Sequence, residues 1–168
     1  LVVGHTGAAA GDRVLDAGTG TGILAAYLGR LGANVTTYEQ DAEFAEVARD
    51  NMEVAGVADS VDVRTGDITD EIDDLAGGEP FDLLTLDTED APEVVASAAD
   101  LLAPGGFLAV YSPFVENSRA SVEAARAAGL SAIETVETIQ RELTVDDRGT
   151  RPSTAGVGHT GYLTFARR

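Results

Sequence analysis

Three glycines at alternate positions follow an apolar run and an acidic residue near the start of the chain. The stretch reads Val14-Leu15-Asp16-Ala17-Gly18-Thr19-Gly20-Thr21-Gly22, and helix-forming residues follow at 23–27. This order predicts a buried strand, a tight turn and the first turn of a helix. Because glycine has no Cβ, the backbone can turn sharply there and a ligand can lie almost on the main chain.

The spacing of the glycines argues against two common phosphate-binding loops. A nicotinamide-dinucleotide loop has the pattern Gly-x-Gly-x-x-Gly, whereas here the third glycine comes one residue early and Ile23 stands at the dinucleotide position. A P-loop needs a lysine, and the chain has none. Asp16, just ahead of the glycines, suits a cationic or hydroxyl-bearing ligand better than a phosphate. On this motif alone, the alternative is a glycine turn in an unrelated α/β protein.

Segments typical of strands and helices alternate along most of the chain. The first five predicted strands span 13–17, 34–38, 61–65, 81–86 and 107–111. Each connection between them is long enough for a helix, which predicts an α/β fold with a doubly wound, mostly parallel sheet. Two further strands, at 132–143 and 161–166, have no helix between them. They are predicted to form an antiparallel hairpin that ends a seven-stranded sheet.

Three finer expectations concern the regions around this alternation. Residues 1–11 are predicted to be a short lead-in, and residues 146–158 a loop, since they contain Pro152 and glycines. The helix at 42–55 is predicted to bury one apolar face, made of Phe44, Val47, Ala48 and Met52.

Composition limits the classes to which the chain can belong. Its 168 residues suit one domain with a proper core. The sequence has no apolar run of membrane-spanning length and no signal peptide at its start, which predicts a cytoplasmic protein without a membrane partner. No cysteine is present, so disulfides and thiolate metal sites are excluded. Two histidines do not make a convincing metal site, and no metal is expected.

The charge balance is unusual. Twenty-nine acidic residues face eleven basic ones, for a net charge of −18. The acids are scattered, all eleven bases are arginine, and this pattern indicates the surface of a halophile that accumulates salt. At molar salt the Debye length is roughly 3 Å, so the self-repulsion is screened. The alternative is an acidic mesophilic protein with a basic partner.

Four consecutive predicted strands end at an acidic residue. These residues are Asp16, Glu39, Asp67 and Asp87. In an open α/β sheet, ligands bind beyond the carboxyl ends of the strands. A single surface acid would carry no weight in so acidic a chain, but four at equivalent positions predict a ligand site.

The pattern acidic-x-Gly-x-Gly-x-Gly resembles motif I of the class I S-adenosylmethionine (SAM) methyltransferases. Glu39 then suits the ribose hydroxyls, Asp67 the adenine amino group and Ile68 the adenine ring, while the glycine loop, supported by Asp16, holds the methionine portion. The predicted cofactor contacts are Asp16, Gly18, Thr19, Gly20, Thr21, Gly22, Glu39, Gln40, Asp67, Ile68 and Asp87.

The end of the chain resembles a narrower family, the archaeal tRNA adenine-N1 methyltransferases. The resemblance rests on Arg151-Pro152 followed by Val157-Gly158-His159-Thr160-Gly161-Tyr162-Leu163-Thr164-Phe165, with support from Leu86-Asp87 and Val110-Tyr111-Ser112-Pro113. Family members methylate N1 of adenine 58 in the T-loop of tRNA, and some also modify the neighbouring adenine. Their N-terminal β-rich domain has no counterpart in residues 1–168, so the chain resembles the catalytic domain alone.

The resemblance implies roles for particular residues. Asp87 becomes the catalytic carboxylate, although the Pro-containing motif that the family carries after it is displaced here. The implied partner is tRNA, the product of the cofactor is S-adenosylhomocysteine (SAH), and the assembly is a homodimer or homotetramer. The implied substrate contacts are Tyr111, Ser112, Arg141, Arg151 and His159.

Alternatives stay open at this point. His159 also suits a turn whose side chain bonds to the backbone, and the arginines also suit solvated charges. The chain could be another class I methyltransferase, acting on isoaspartyl protein or on a corrin-type small molecule. It could also be a scaffold that binds SAM or tRNA without catalysis.

Overall fold

The computed structural model describes residues 1–153, 158 and 161–168. Its centre is a seven-stranded sheet with strand order β3-β2-β1-β4-β5-β9-β6. The first five strands in the chain run parallel to one another. The strands of the chain are β1 (Arg13–Ala17), β2 (Asn34–Glu39), β3 (Val61–Thr65), β4 (Phe81–Leu86), β5 (Leu102–Ser112), β6 (Ser131–Thr138), β7 (Leu143–Asp146), β8 (Gly149–Pro152) and β9 (Gly161–Arg167).

Helices cover both faces of this sheet. They are α1 (Val2–Thr6), α2 (Ile23–Arg30), α3 (Ala42–Ala55), α4 (Ile72–Ala76), α5 (Ala91–Ala96), α6 (Ala98–Leu101) and α7 (Val115–Ala127), with a 3-10 turn at Ile68–Glu71 before α4. In the described part of the chain, no helix has both the length and the apolar content that a bilayer crossing requires.

The core consists of two apolar layers, one on each face of the sheet. Successive residues of a strand point to opposite faces. Leu15 of β1 therefore packs with Leu84 and the helices α5 to α7, whereas Val14 packs with Leu83 and the helices α2 and α3. Strands buried on both faces explain the nearly continuous apolar runs in β1 and β4. The predicted doubly wound sheet is confirmed.

The last strand of the chain lies inside the sheet. β9 pairs antiparallel with β5 on one side and with β6 on the other. The predicted antiparallel pairing of the last two sheet strands is confirmed, but the strand predicted at 132–143 ends at Thr138.

The lead-in at residues 1–11 contains the helix α1. Two expectations about local structure are wrong. The region 146–158, predicted as loop, contributes to a separate two-stranded sheet of β7 and β8, whose turn is tightened by a 2.9 Å hydrogen bond from the Arg148 N–H to the Asp146 carboxylate. In α3 the buried residues are Ala45, Ala48 and Met52, whereas Phe44 and Val47 are exposed.

Candidate active site

The four acids that end consecutive strands meet at one edge of the sheet. β1 lies between β2 and β4, with Ala17 paired to Tyr38 and to Leu86. The ends of these strands border a cavity of about 450 Å³, called here the cofactor-side cavity. Among its lining residues are Gly18, Gly20, Glu39, Gln40, Phe44, Asp67, Ile68 and Asp87.

Glu39 is largely buried and tied to the backbone on both carboxylate oxygens. Oε2 accepts a 2.8 Å hydrogen bond from the Gly20 N–H, and Oε1 accepts one of 3.1 Å from the Asp41 N–H. A carboxylate offers about four lone-pair positions, so each oxygen keeps one for a ligand. The two backbone bonds hold the side chain in place, which prepares it to receive a pair of vicinal hydroxyls.

Asp16 does not face the cofactor-side cavity. Its carboxylate is 4% exposed and accepts hydrogen bonds from the hydroxyls of Thr37 (2.6 Å) and Thr85. Because Thr37 gives its proton to Asp16, its oxygen accepts from the Thr19 hydroxyl. Burial raises the pKa of Asp16, while the two threonine hydroxyls lower it by a smaller amount. The carboxylate thus joins β1, β2, β4 and the glycine loop.

The glycine loop itself requires residues without a side chain. Gly18 and Gly22 both have φ of 83°, in the left-handed region that favours glycine. The Gly18 N–H donates to the Tyr38 carbonyl over 3.0 Å. A Cβ on Gly22 would overlap the Met52 methyl group. The loop is therefore held close to β2 and α3, and its backbone faces the cavity.

Asp67, Ile68 and Gln40 also line the cofactor-side cavity. One oxygen of Asp67 caps the 3-10 turn by accepting from the Thr69 N–H (2.9 Å) and hydroxyl (2.8 Å). Ile68 is buried at the cavity wall. The other oxygen of Asp67 and the apolar face of Ile68 suit the amino edge and the face of a purine.

Asp87 lies between two cavities. It lines the cofactor-side cavity and a second one of about 550 Å³, called here the α2-side cavity, which also contacts Gly18 and Gly20. In the described part of the chain no hydrogen bond reaches its carboxylate, and its partial burial raises its pKa above the ordinary value of 3.8. This carboxylate is available to an incoming group.

The α2-side cavity is mostly apolar. It is lined by Val2, Asp16, Gly18, Thr19, Gly20, Thr21, Ile23, Leu24, Tyr27, Thr85, Leu86, Asp87, Ala109, Tyr111 and Leu163. The Tyr111 ring lies directly against Gly161, because a Cβ on that glycine would overlap one ring carbon and lie 2.7 Å from both another ring carbon and the phenolic oxygen. Ser112 is buried and turned away, with its hydroxyl donating to the Phe114 carbonyl over 3.1 Å.

The remaining residues implied as substrate contacts lie elsewhere. Arg151 is exposed on β8, and Arg141 precedes β7 and donates to the Ser153 carbonyl over 3.4 Å. Neither lines the two cavities. His159 lies outside the described residues. Among the residues that are described, no group of three His, Cys, Asp or Glu side chains is arranged to hold a metal ion.

Several residues of the site were not predicted from the sequence. Thr37 and Thr85 stand opposite Asp16 in the register of the sheet. Each is a polar residue inside a predicted strand, and this is the sequence signal that could have indicated a role in the site. Tyr27 and Phe44 were missed because their cavities are built from segments distant in sequence.

A glycine loop after β1, acids at the ends of β2 to β4 and a seven-stranded sheet with an antiparallel β9 define a class I SAM-dependent methyltransferase. A family model described as tRNA methyltransferase complex GCD14 subunit matches residues 1–151, and the chain belongs to this family. The predicted resemblance to tRNA methyltransferases is thereby confirmed.

Individual relatives agree with this assignment. The chain is 32% identical, over 99% of its own length and 68% of the relative's, to a tRNA (adenine(57)-N(1)/adenine(58)-N(1))-methyltransferase TrmI of Methanocaldococcus jannaschii. A SAM-dependent O-methyltransferase from Thermotoga maritima superposes with a TM-score of 0.89 at 26% identity. A tRNA (m1A58) methyltransferase TrmI from Aquifex aeolicus superposes with 0.82 at 24% identity, which supports the fold.

The chain is shorter than these relatives. The superpositions span 99% of this chain but only 63% of the Thermotoga chain and 66% of the Aquifex chain.

Proposed function

We propose that this chain is the catalytic domain of an enzyme that transfers a methyl group from SAM to N1 of an adenine in the T-loop of tRNA, at position 58. The observation that carries the proposal is the position of Asp87, whose carboxylate accepts no hydrogen bond from the described residues and lies between two cavities of about 450 Å³ and 550 Å³. Similarity to an adenine-N1 methyltransferase over 99% of this chain and 68% of that relative supports the choice of base and position.

The residues present fit SAM as the cofactor. Glu39 keeps a free lone-pair position on each oxygen for the ribose, and Asp67 with Ile68 suits the adenine. The backbone of Gly18 and Gly20 borders both cavities, where the methionine portion belongs. When bound, SAM supplies an electrophilic methyl group and becomes SAH.

Asp87 acts on the target base through its free carboxylate. Adenine N1 has a lone pair in the plane of the ring, and the methylated product carries positive charge. A carboxylate that accepts a hydrogen bond from the adjacent exocyclic amino group raises the electron density at N1 and stabilises that charge. The cavity walls supply positioning. Because bases are stacked in folded tRNA, the target must be turned out of its stack to reach the cavity.

Tyr111 is proposed to contact the target base, because it lines the cavity that Asp87 borders.

Arg141 and Arg151 are proposed to contact tRNA phosphates, because they are exposed cations in an acidic chain. Replacing Arg151 by alanine should lower the slope of log affinity against log salt by roughly 0.7 to 0.9 if it neutralises one phosphate. An unchanged slope contradicts that contact. Ser112 supports the turn after β5, and His159 stays a substrate contact by resemblance alone.

The cellular location and the kind of source organism are proposed from the composition of the chain and from the proposed substrate. A tRNA substrate and the absence of cysteine support a cytoplasmic location, and the dispersed acidic surface supports a halophilic source. Homo-oligomerisation is supported by Leu143 and Val145, which expose apolar side chains on β7, and by the exposed Ile139 shortly before that strand in the sequence. Light scattering at high salt tests it, and a monomer at micromolar concentration contradicts it.

One experiment tests the activity. The protein is incubated at high salt with labelled SAM and unmodified tRNA, and the modified nucleosides are mapped by mass spectrometry. The expected product is N1-methyladenosine in the T-loop, which disappears with Asp87→Ala. An exposed acid of α4, changed in Asp74→Ala, serves as the matched control. Binding of SAM without tRNA methylation overturns the proposal.

A further inference from the structure

α2 carries an exposed apolar face beside the proposed substrate site. Ile23 is 76% exposed and Tyr27 is 55% exposed, and the four-residue spacing places them on one side of the helix. Both line the α2-side cavity. Exposed large apolar groups in contact with a cavity are typical of ligand sites.

The α2-side cavity extends from Gly18 and Asp87 to Tyr27. Asp87 and Gly18 mark its junction with the cofactor-side cavity. Since α2 leads away from the glycine loop, Tyr27 lies about 6 Å farther along the helix axis than Ile23. The α2-side cavity is also the larger one, about 550 Å³ against about 450 Å³. Space next to Tyr27 therefore remains when an adenine stands at Asp87.

We infer that Tyr27 is a stacking platform for the nucleotide base that flanks the target adenine in the tRNA. This inference rests on the proposed function. An exposed aromatic ring stacks with any base, since every base has a π-face, and this contact needs no basic patch. It suits a chain with a net charge of −18, which has eleven arginines and no lysine to offer to phosphates. Ile23, one turn earlier on α2, supplies apolar surface beside it.

A stacking role for Tyr27 predicts different effects on tRNA binding and on turnover. Tyr27→Leu keeps an apolar side chain but removes the ring, and should raise the KM for tRNA roughly 5- to 100-fold, the range for one base–aromatic stack. The kcat and the Kd for SAM should change less than twofold. Tyr27→Phe keeps the ring and should behave like the wild type. Val54→Ala, at an exposed position of α3 that lines neither cavity, is the control.

A fluorescent base reports the stack without turnover. A tRNA carrying 2-aminopurine beside the target adenine is titrated with the protein and SAH. Quenching on binding is expected for the wild type, Tyr27→Phe and Val54→Ala, and its loss is expected for Tyr27→Leu.

Each other outcome overturns the inference. An unchanged KM and unchanged quenching in Tyr27→Leu exclude stacking. A weaker Kd for SAM places Tyr27 in the cofactor site, and a lower melting temperature with unchanged KM means that the ring packs against protein. If the rise in KM and the loss of quenching in Tyr27→Phe equal those in Tyr27→Leu, the effect belongs to the hydroxyl and not to the ring. If the wild type itself neither binds nor methylates tRNA, the proposed function has failed as well.

Discussion

Gly18 and Asp87 are in direct backbone contact across the site. A Cβ on Gly18 would overlap the carbonyl oxygen of Asp87 and lie 2.6 Å from its carbonyl carbon. Since Asp87 N–H donates to the Ala17 carbonyl over 2.9 Å, the glycine loop and the proposed catalytic residue are held together from both sides. The position of the proposed catalytic carboxylate therefore depends on the absence of a side chain at residue 18.

Gly18→Ala should lower both stability and SAM affinity. Gly56 is a matched control, because its φ of 69° is also left-handed and, apart from its neighbours along the chain, none of the described residues lies within 4 Å of its Cβ position. Gly56→Ala carries only the conformational cost, about 1–2 kcal/mol. Gly18→Ala adds a clash with backbone, so its loss of unfolding free energy should be larger. Urea denaturation and calorimetric titration with SAM measure the two effects, and equal losses in both variants contradict the contact.

Methylation should depend on pH through Asp87. Its carboxylate must be ionised to accept from the adenine amino group, and burial raises its pKa above 3.8. Activity should therefore fall as pH drops through that raised pKa, so the acid limb lies above the ordinary aspartate range. Single-turnover rates between pH 4 and 8 measure it. In Asp87→Asn the rate should fall roughly 10²- to 10⁴-fold and lose this acid limb, whereas an identical limb in the variant would assign it to another group.

Glu39→Gln should weaken cofactor binding and spare the chemical step. Glutamine has one acceptor oxygen, so it cannot accept from both Gly20 and Asp41 and also receive hydroxyls. The loss of a charged acceptor should raise the Kd for SAM roughly 10- to 100-fold. Glu43→Gln, at an exposed acid in the first turn of α3, is the matched control. A fall in kcat at saturating SAM without a change in Kd contradicts this role.

Asp16 should make the free energy of unfolding fall as pH rises, which is the opposite of what a carboxylate with a lowered pKa does. Its pKa in the folded state is raised above 3.8, mainly by burial. Its contribution to stability is therefore complete below pH about 3.8 and is lost as pH rises through the folded pKa. Relative to Asp16→Asn, the wild type should lose unfolding free energy between acid and neutral pH. Denaturation at pH 4 and pH 7 tests this, with Asp74→Asn as an exposed control.

The elements that the sequence predicted are those with a local signature. The glycine turn and the acids at strand ends follow from short patterns, and the parallel order of β1 to β5 follows from crossover length. The partners of Asp16 were not predictable, because Thr37 and Thr85 meet it only through the register of three strands. The roles proposed for individual site residues stay predictions until the variants are measured.

The errors have physical causes as well. In α3 the apolar periodicity allows two neighbouring faces, and the small residues Ala45 and Ala48 were buried because they let the helix approach the sheet closely. Phe44 was left at the mouth of the cofactor-side cavity. The β7–β8 hairpin turns at Asp146-Asp147-Arg148-Gly149, and a polar turn between short exposed strands has the composition of a loop.

The insertion of β9 between β5 and β6 has a consequence for synthesis on the ribosome. β5 ends at Ser112 and its neighbour β9 begins only at Gly161, so one edge of the emerging sheet stays open while some fifty residues are translated. β6 emerges earlier but has no strand to pair with until β9 arrives. The nascent chain must therefore keep an unpaired edge from aggregating, and a dense negative charge, which repels other copies, is suited to that interval.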